Sequence, residues 1–195
     1  MPELPSKLVV VALRTESAGV FEAAGVPVLY CGVGKVNAAI ALTRELVRYA
    51  IDGQAKPLVL NFGSAGSRRH PAGTLLACHE FVQRDMDVRG LGYALGVTPY
   101  DDAPSCVSFE PVFGRLPSAV CGTGDSFATA GPDLDCAVVD MEAYALAKVC
   151  WYEKARFACA KYVSDGADHA AADDWRRNRH RAAQEFLRLY LSLVR

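Results

Sequence analysis

Ala137-Val138-Val139-Asp140-Met141-Glu142-Ala143-Tyr144-Ala145-Leu146-Ala147 places two carboxylates in an otherwise apolar run. Its first half is β-prone and its second is rich in Ala and Leu, so it reads as a strand passing into a helix inside a core. Glu142 stands at the junction. A carboxylate there must be paired, hydrogen-bonded or pKa-shifted, because desolvating an unpaired ion costs several kcal/mol or more. The stretch alone leaves two readings open. Glu142 either complements the dipole of the first helical turn or is a buried functional group.

The same arrangement recurs. The apolar run Leu8-Val9-Val10-Val11 ends in Leu13-Arg14-Thr15-Glu16, residues 58–60 lead into Asn61-Phe62-Gly63-Ser64-Ala65-Gly66, and residues 156–163 end in Ser164-Asp165-Gly166-Ala167-Asp168. Four predicted strands thus finish in a polar group beside a turn. Open α/β sheets bind ligands beyond the carboxyl ends of their parallel strands, so a site built from Glu16, Ser64, Glu142 and Asp165 is expected.

At 195 residues the chain fits one domain, 1–195, large enough to bury about 70% of its unfolded surface without disulfide or metal staples. A formal net charge of −1 argues against nucleic-acid or anionic-membrane binding, which need a basic excess. Seven Cys, an odd number with no Cys-x-x-Cys, point to reduced thiols in a cytoplasmic protein. The four His are dispersed, which argues against a metal site. The N-terminal Met1-Pro2-Glu3-Leu4-Pro5-Ser6-Lys7 lacks a signal peptide's pattern, and the apolar run after it is too short to span a bilayer.

Strands are expected at 8–13 and 26–31, with room between them for a short helix. Gly32-Val33-Gly34-Lys35 then opens a helix whose Val36, Ala39, Ile40, Leu46 and Val47 fall near one face, up to about residue 49. Asn37 stands where a dinucleotide loop needs its third Gly, and Val36 stands where a P-loop needs Ser or Thr, so a tight strand-to-helix turn is the reading. A third strand at 58–62 is followed by Gly63-Ser64-Ala65-Gly66, read as a turn whose N–H groups approach a ligand. Residues 79–88 read as a strand entering a polar loop, 90–104 as an ordered loop or lid, and 119–123 as a strand leading to Gly124-Asp125-Ser126-Phe127-Ala128. The C-terminal segment opens with Asp173-Asp174. It carries Ala182, Phe186, Leu189, Tyr190 and Leu193 at helical spacing, with Arg176, Arg177, Arg179, Arg181 and Arg188 on the solvated face of a terminal amphipathic helix.

Together, Gly32-Val33-Gly34-Lys35-Val36, Asn61-Phe62-Gly63-Ser64-Ala65-Gly66, Gly124-Asp125-Ser126-Phe127, Val139-Asp140-Met141-Glu142-Ala143 and Val163-Ser164-Asp165-Gly166-Ala167-Asp168 resemble, in that order, the nucleoside phosphorylase and nucleosidase superfamily. The chain looks closest to the 5′-methylthioadenosine/S-adenosylhomocysteine nucleosidases. The resemblance implies a three-layer α/β/α sandwich around a central mixed, largely parallel sheet, a homo-oligomer, and a small-molecule nucleoside substrate with no cofactor. It implies that Glu142 bonds the ribose hydroxyls, Met141 packs on the sugar, Asp165 protonates purine N7, and Glu16 positions and deprotonates water. Ser64 and Gly63 would lie by sugar and water, Phe127 would stack on the base, the backbone at Ala128 would read its edge, and Ser164 and Lys161 would complete the substrate contacts. Lys161 stands where the nucleosidases usually have Arg. The chain is also shorter than typical members, between Glu16 and Val26 and before Ala119.

Breaking the glycosidic bond builds positive charge on the ribose while electrons flow into the base. An acid at N7 and a carboxylate activating water on the opposite side answer the two demands. Phosphorylases of this superfamily hold phosphate with Arg at the position matching Asn61, so water is the expected nucleophile here, although Arg14, Arg68 and Arg84 leave phosphorolysis as an alternative. A third reading is a nucleoside binder without turnover. The resemblance also implies adenine-type bases, since members specific for 6-oxopurines tend to carry Asn where this chain has Asp165.

Overall fold

The computed structural model describes residues 5–129, 134–178 and 180–193; Arg179 and the first four residues lie outside them. The elements are β1 (Lys7–Val11), α1 (Arg14–Ser17), α2 (Val20–Ala23), β2 (Val28–Tyr30), α3 (Lys35–Ile51), β3 (Leu58–Gly66), β4 (Leu75–Gln83), β5 (Cys106–Ser108), β6 (Ser118–Thr123), β7 (Val138–Asp140), α4 (Ala143–Glu153), β8 (Arg156–Asp165), α5 (Ala171–Asn178) and α6 (Ala183–Ser192). The eight strands form one mixed sheet in which β2, β1, β3 and β8 run parallel, and β4 joins β8 antiparallel. From β4 the sheet continues through parallel β6 and β7 back to β3 at the single pair Gly66–Val139, so five strands close a ring beside the β1–β2 extension.

The apolar runs lack polar alternation because both sheet faces are covered. Leu8, Val10, Val59, Phe157 and Cys159 face a core shared with α3 and α4. Their neighbours Val9, Val11, Leu60, Phe62, Ala158 and Ala160 face a second core, closed by Phe21 of α2 and Phe186 of α6. Phe62 stacks between Phe21 and Phe186, at ring-centroid distances of 5.7 and 5.1 Å.

Three expectations need correction. The segment Gly63-Ser64-Ala65-Gly66 is not a turn. It continues β3, paired with β8, because a strand flanked on both sides has ladder partners for every residue. The helix after Gly34 buries Ala38, Leu42, Leu46 and Tyr49 and leaves Val36, Ile40 and Val47 exposed, so of the expected face only Leu46 is fully buried. Finally, the C-terminal segment is two helices. Asn178 ends α5 with its side chain donating to Ser164 O, and α6 restarts to bury Ala183 and Phe186.

Candidate active site

The carboxyl ends of β1, β3 and β8 and the β7–α4 junction surround a cavity of about 210 Å³, lined by Glu16, Ser64, Glu142, Asp165, Met141 and Phe127 among others. Glu16, Glu142 and Asp165 are all buried. The three acids, far apart in sequence, line one cavity as expected.

Glu16 lies on the one-turn helix α1, where its side chain folds back to accept a bond from Leu13 N at 3.3 Å. Its other oxygen, Oε1, accepts from Ser64 N at 2.9 Å and from Ser64 Oγ at 2.6 Å. The extended β3 presents both Ser64 groups to Glu16.

Asp165 owes its direction to an irregularity at the end of β8. Ala65 pairs with Val163 and Gly66 with Asp165, which leaves Ser164 unopposed, and such a bulge re-aims the next side chain. Ser164 Oγ lies 2.7 Å from Asp165 Oδ2, and Ala167 N donates to Oδ1 at 3.0 Å. A Cβ on Gly66 would stand 2.6 Å from Asp165 Oδ1, so only glycine fits beside the carboxyl. Burial raises the Asp165 pKa, opposed by Ser164 and Ala167 and aided by the charges of Asp174 and Asp168.

Glu142 occupies the N-cap position of α4 but makes no cap bond. The first-turn amide of Ala143 is taken instead by Asp140 Oδ2 at 2.9 Å. Glu142 Oε1 reaches across to Gly34 N at 2.9 Å, which removes the capping reading. Burial, and then the charge of Asp140, push its pKa up to about 8, against the pull of Lys161 and the Gly34 amide.

Lys161 does not line the cavity. Its side chain is 1% exposed and its Nζ lies 2.8 Å from Asp140 Oδ2, under the floor. Gly63 lies above it, where a Cβ would stand 3.2 Å from Nζ. Both therefore sit behind the wall, and Ser164 reaches the cavity only through Asp165. Phe127, 43% exposed, and Ala128 do line it.

Arg84 and Trp175 also line the cavity. Arg84, considered from the sequence only as a phosphate ligand, donates from both terminal nitrogens to Ser126, to Oγ at 3.2 Å and to the carbonyl oxygen, and so holds the loop that carries Phe127. Trp175 on α5 was missed. Its Nε1 donates to Ser64 Oγ at 2.9 Å, and its ring meets Phe127 edge to face. A lone large aromatic inside Asp173-Asp174-Trp175-Arg176-Arg177 was the available signal. Residues 90–104 do not cover the cavity. That loop is tied to α4 through Asp101, which accepts from Lys148 and, at 2.5 Å, from Tyr152. Among the described residues no cluster of His, Cys, Asp and Glu could hold a metal, and no helix is long and apolar enough to cross a membrane.

No protein-family model matches the chain. Solved structures share its fold. The 5′-methylthioadenosine/S-adenosylhomocysteine nucleosidase of Helicobacter pylori superposes with a TM-score of 0.84 at 21% identity, covering 96% of this chain and 97% of that one. Futalosine hydrolase of the same organism gives 0.83 at 21%, covering 95% and 97%. Among curated sequences, the 5′-methylthioadenosine/S-adenosylhomocysteine nucleosidase of Anoxybacillus flavithermus is 32% identical over 186 residues, spanning 80% of this chain and 77% of its own. That of Staphylococcus carnosus is 34% identical over 164 residues, 72% and 68% of the two chains. With that identity carried over most of both lengths, and with the acids of the cavity in the expected order, this chain belongs to the 5′-methylthioadenosine/S-adenosylhomocysteine nucleosidase family.

Proposed function

We propose that the protein hydrolyses the N-glycosidic bond of adenosine-type nucleosides modified at the 5′ position, releasing free adenine without phosphate or a cofactor. The observation that carries this is the meeting of Glu16, Glu142 and Asp165, all buried, on one cavity. Asp165, its pKa raised by burial, is the acid that protonates N7 of the leaving base. Glu16 draws the proton from water, with Ser64 beside it. Glu142 binds the ribose hydroxyls, Met141 packs on the sugar, Phe127 stacks on the base and the backbone at Ala128 meets its edge.

The placement of the three arginines favours water over phosphate. Arg14 pairs with Glu22 at 3.1 Å and lies over the Tyr30 ring, Arg68 is exposed, and the terminal nitrogens of Arg84 are engaged by Ser126. The test is incubation of the purified protein with 5′-methylthioadenosine. Adenine should appear without phosphate, and Asp165→Asn or Glu142→Ala should nearly abolish it. Release that requires phosphate would identify a phosphorylase. Tight binding without release would identify a binder.

The protein acts as a homo-oligomer through the outer face of α3. Val36, Ile40, Val47 and Ile51 are exposed and fall within about 60° of one another at about 100° per residue, an apolar stripe opposite the buried face. Sedimentation should show a dimer or larger species, converted to monomer by Ile40→Glu with Ile51→Glu. Seven free thiols suit the reducing cytoplasm.

A further inference from the structure

Ser64 stands between two groups that each have one part to play in a hydrogen bond. An indole N–H only donates and a carboxylate only accepts, whereas a hydroxyl does both. Trp175 Nε1 is 2.9 Å from Ser64 Oγ, which is 2.6 Å from Glu16 Oε1. Both directions follow: Trp175 donates to Ser64, and the hydroxyl proton is turned onto Glu16 Oε1. Ser64 N donates to the same oxygen at 2.9 Å, so Oε1 is held twice. Among the described residues Oε2 takes one bond, the 3.3 Å one from Leu13 N, and keeps the capacity to accept another hydrogen bond.

The indole is itself braced. Its ring meets Phe127 at 6.5 Å between centroids and 72°. One turn further along α5, Asn178 donates to Ser164 O at 2.8 Å, beside Asp165. One helix therefore touches the immediate neighbours of both the base and the acid.

We propose that Trp175 is a positioning residue for the reaction: its indole N–H fixes the Ser64 hydroxyl on Glu16 and so orients the carboxylate that takes the proton from water. This rests on the reading of Glu16 given above. Trp175→Phe keeps a ring in the cavity wall and removes the donor. With 5′-methylthioadenosine as substrate it should lower kcat by about threefold to tenfold, the worth of one hydrogen bond, and change KM by less than about twofold. In a Ser64→Ala background, where the relay is already broken, the same substitution should cost nothing further in kcat. Effects that multiply, or that fall on KM alone, would make Trp175 only a wall of the cavity and overturn the proposal.

A second readout does not depend on turnover. The chain has two tryptophans, so the Trp175 indole proton is assigned in the NMR spectrum by its loss in Trp175→Phe. It should exchange slowly with solvent in the wild-type protein and shift in Ser64→Ala. Fast exchange with no shift would overturn the relay. A wild-type protein that frees no adenine yet shows the slow, Ser64-dependent resonance would keep the relay and refute the nucleosidase reading instead.

Discussion

Lys161 Nζ lies 2.8 Å from Asp140 Oδ2, both side chains 1% exposed, and the charges of both act on Glu142. Asp140 also accepts from Thr123 Oγ1 at 2.5 Å and from Ala143 N at 2.9 Å. Burial opposes its charge, but Lys161, Thr123 and Ala143 hold its pKa below the usual carboxylate range. Removing one partner of such a pair strands a buried charge, which costs far more than the pair contributes over an apolar substitute. Lys161→Met should therefore lose about 3–5 kcal/mol in urea unfolding. The double variant Lys161→Met, Asp140→Leu should recover part of that loss. A single variant within 1 kcal/mol of wild type, on the order of a surface substitution, would refute the buried pair.

Glu142 gives the second prediction, in stability against pH. Its ordinary pKa is 4.5 and the folded value is about 8, so the folded chain binds this proton more tightly than the unfolded one. Between those two values the native state holds more protons, and stability falls as pH rises, by at most about 1.4 kcal/mol per unit from this group. Asp165, raised in the same direction, adds a slope of the same sign. Glu142→Gln removes only the first contribution. Urea midpoints at pH 5, 6, 7 and 8 should show the Gln variant gaining on wild type as pH rises. A constant difference would mean that Glu142 stays ionised throughout.

How much of this was legible depended on whether the cause was local. The run into Glu142 announced its junction, since a β-prone segment followed by Ala and Leu changes period at one point, and β7 and α4 meet there. The ends of β1 and β8 were visible for the same reason. What the chain does across distance was hidden. Ser64 remains in a strand because β8, about a hundred residues on, supplies its ladder partners. Helix α3 carries two apolar faces, and no local pattern says that the sheet takes Ala38, Leu42 and Leu46 over Val36 and Ile40. Lys161 reads as a substrate contact until its ion pair with the buried Asp140 is seen. Trp175 was lost among its charged neighbours because Ser64, the hydroxyl its indole bonds, lies 111 residues away.

Arg84 carries the third prediction. Its terminal nitrogens hold both polar oxygens of Ser126, and the guanidinium packs under Gly124, where a Cβ would stand 2.8 Å from Cζ. The following residue, Phe127, is 43% exposed, so the clamp supplies what packing does not. Arg84→Ala should raise KM by about tenfold, the loss of roughly one charge-assisted hydrogen bond, with kcat less affected. Lys offers a point charge rather than a planar fork, so Arg84→Lys should restore little. An unchanged KM in the Ala variant would show that the loop holds its place without the clamp.

Gly66 gives the sharpest geometric test of the acid. An added Cβ would stand 2.6 Å from Asp165 Oδ1, 3.1 Å from Ala167 Cβ and 3.3 Å from Val139 Cγ2. Val139 stands on paired backbone, whereas the Ala167 amide is bonded to the Asp165 carboxyl itself, so the carboxyl and its own support are what must move. Overpacking of this kind costs about 1–3 kcal/mol of stability. A displacement of about 1 Å at a proton-transfer group costs on the order of 100-fold in rate. Gly66→Ala should therefore approach the inactivity of Asp165→Asn while still folding and binding adenine. Gly90→Ala, where a Cβ meets nothing within 4 Å, is the control and should behave as wild type. If Gly66→Ala turned over at the wild-type rate, the bulge at Ser164 would not be what aims Asp165, and the acid would have to be sought in another side chain of the cavity.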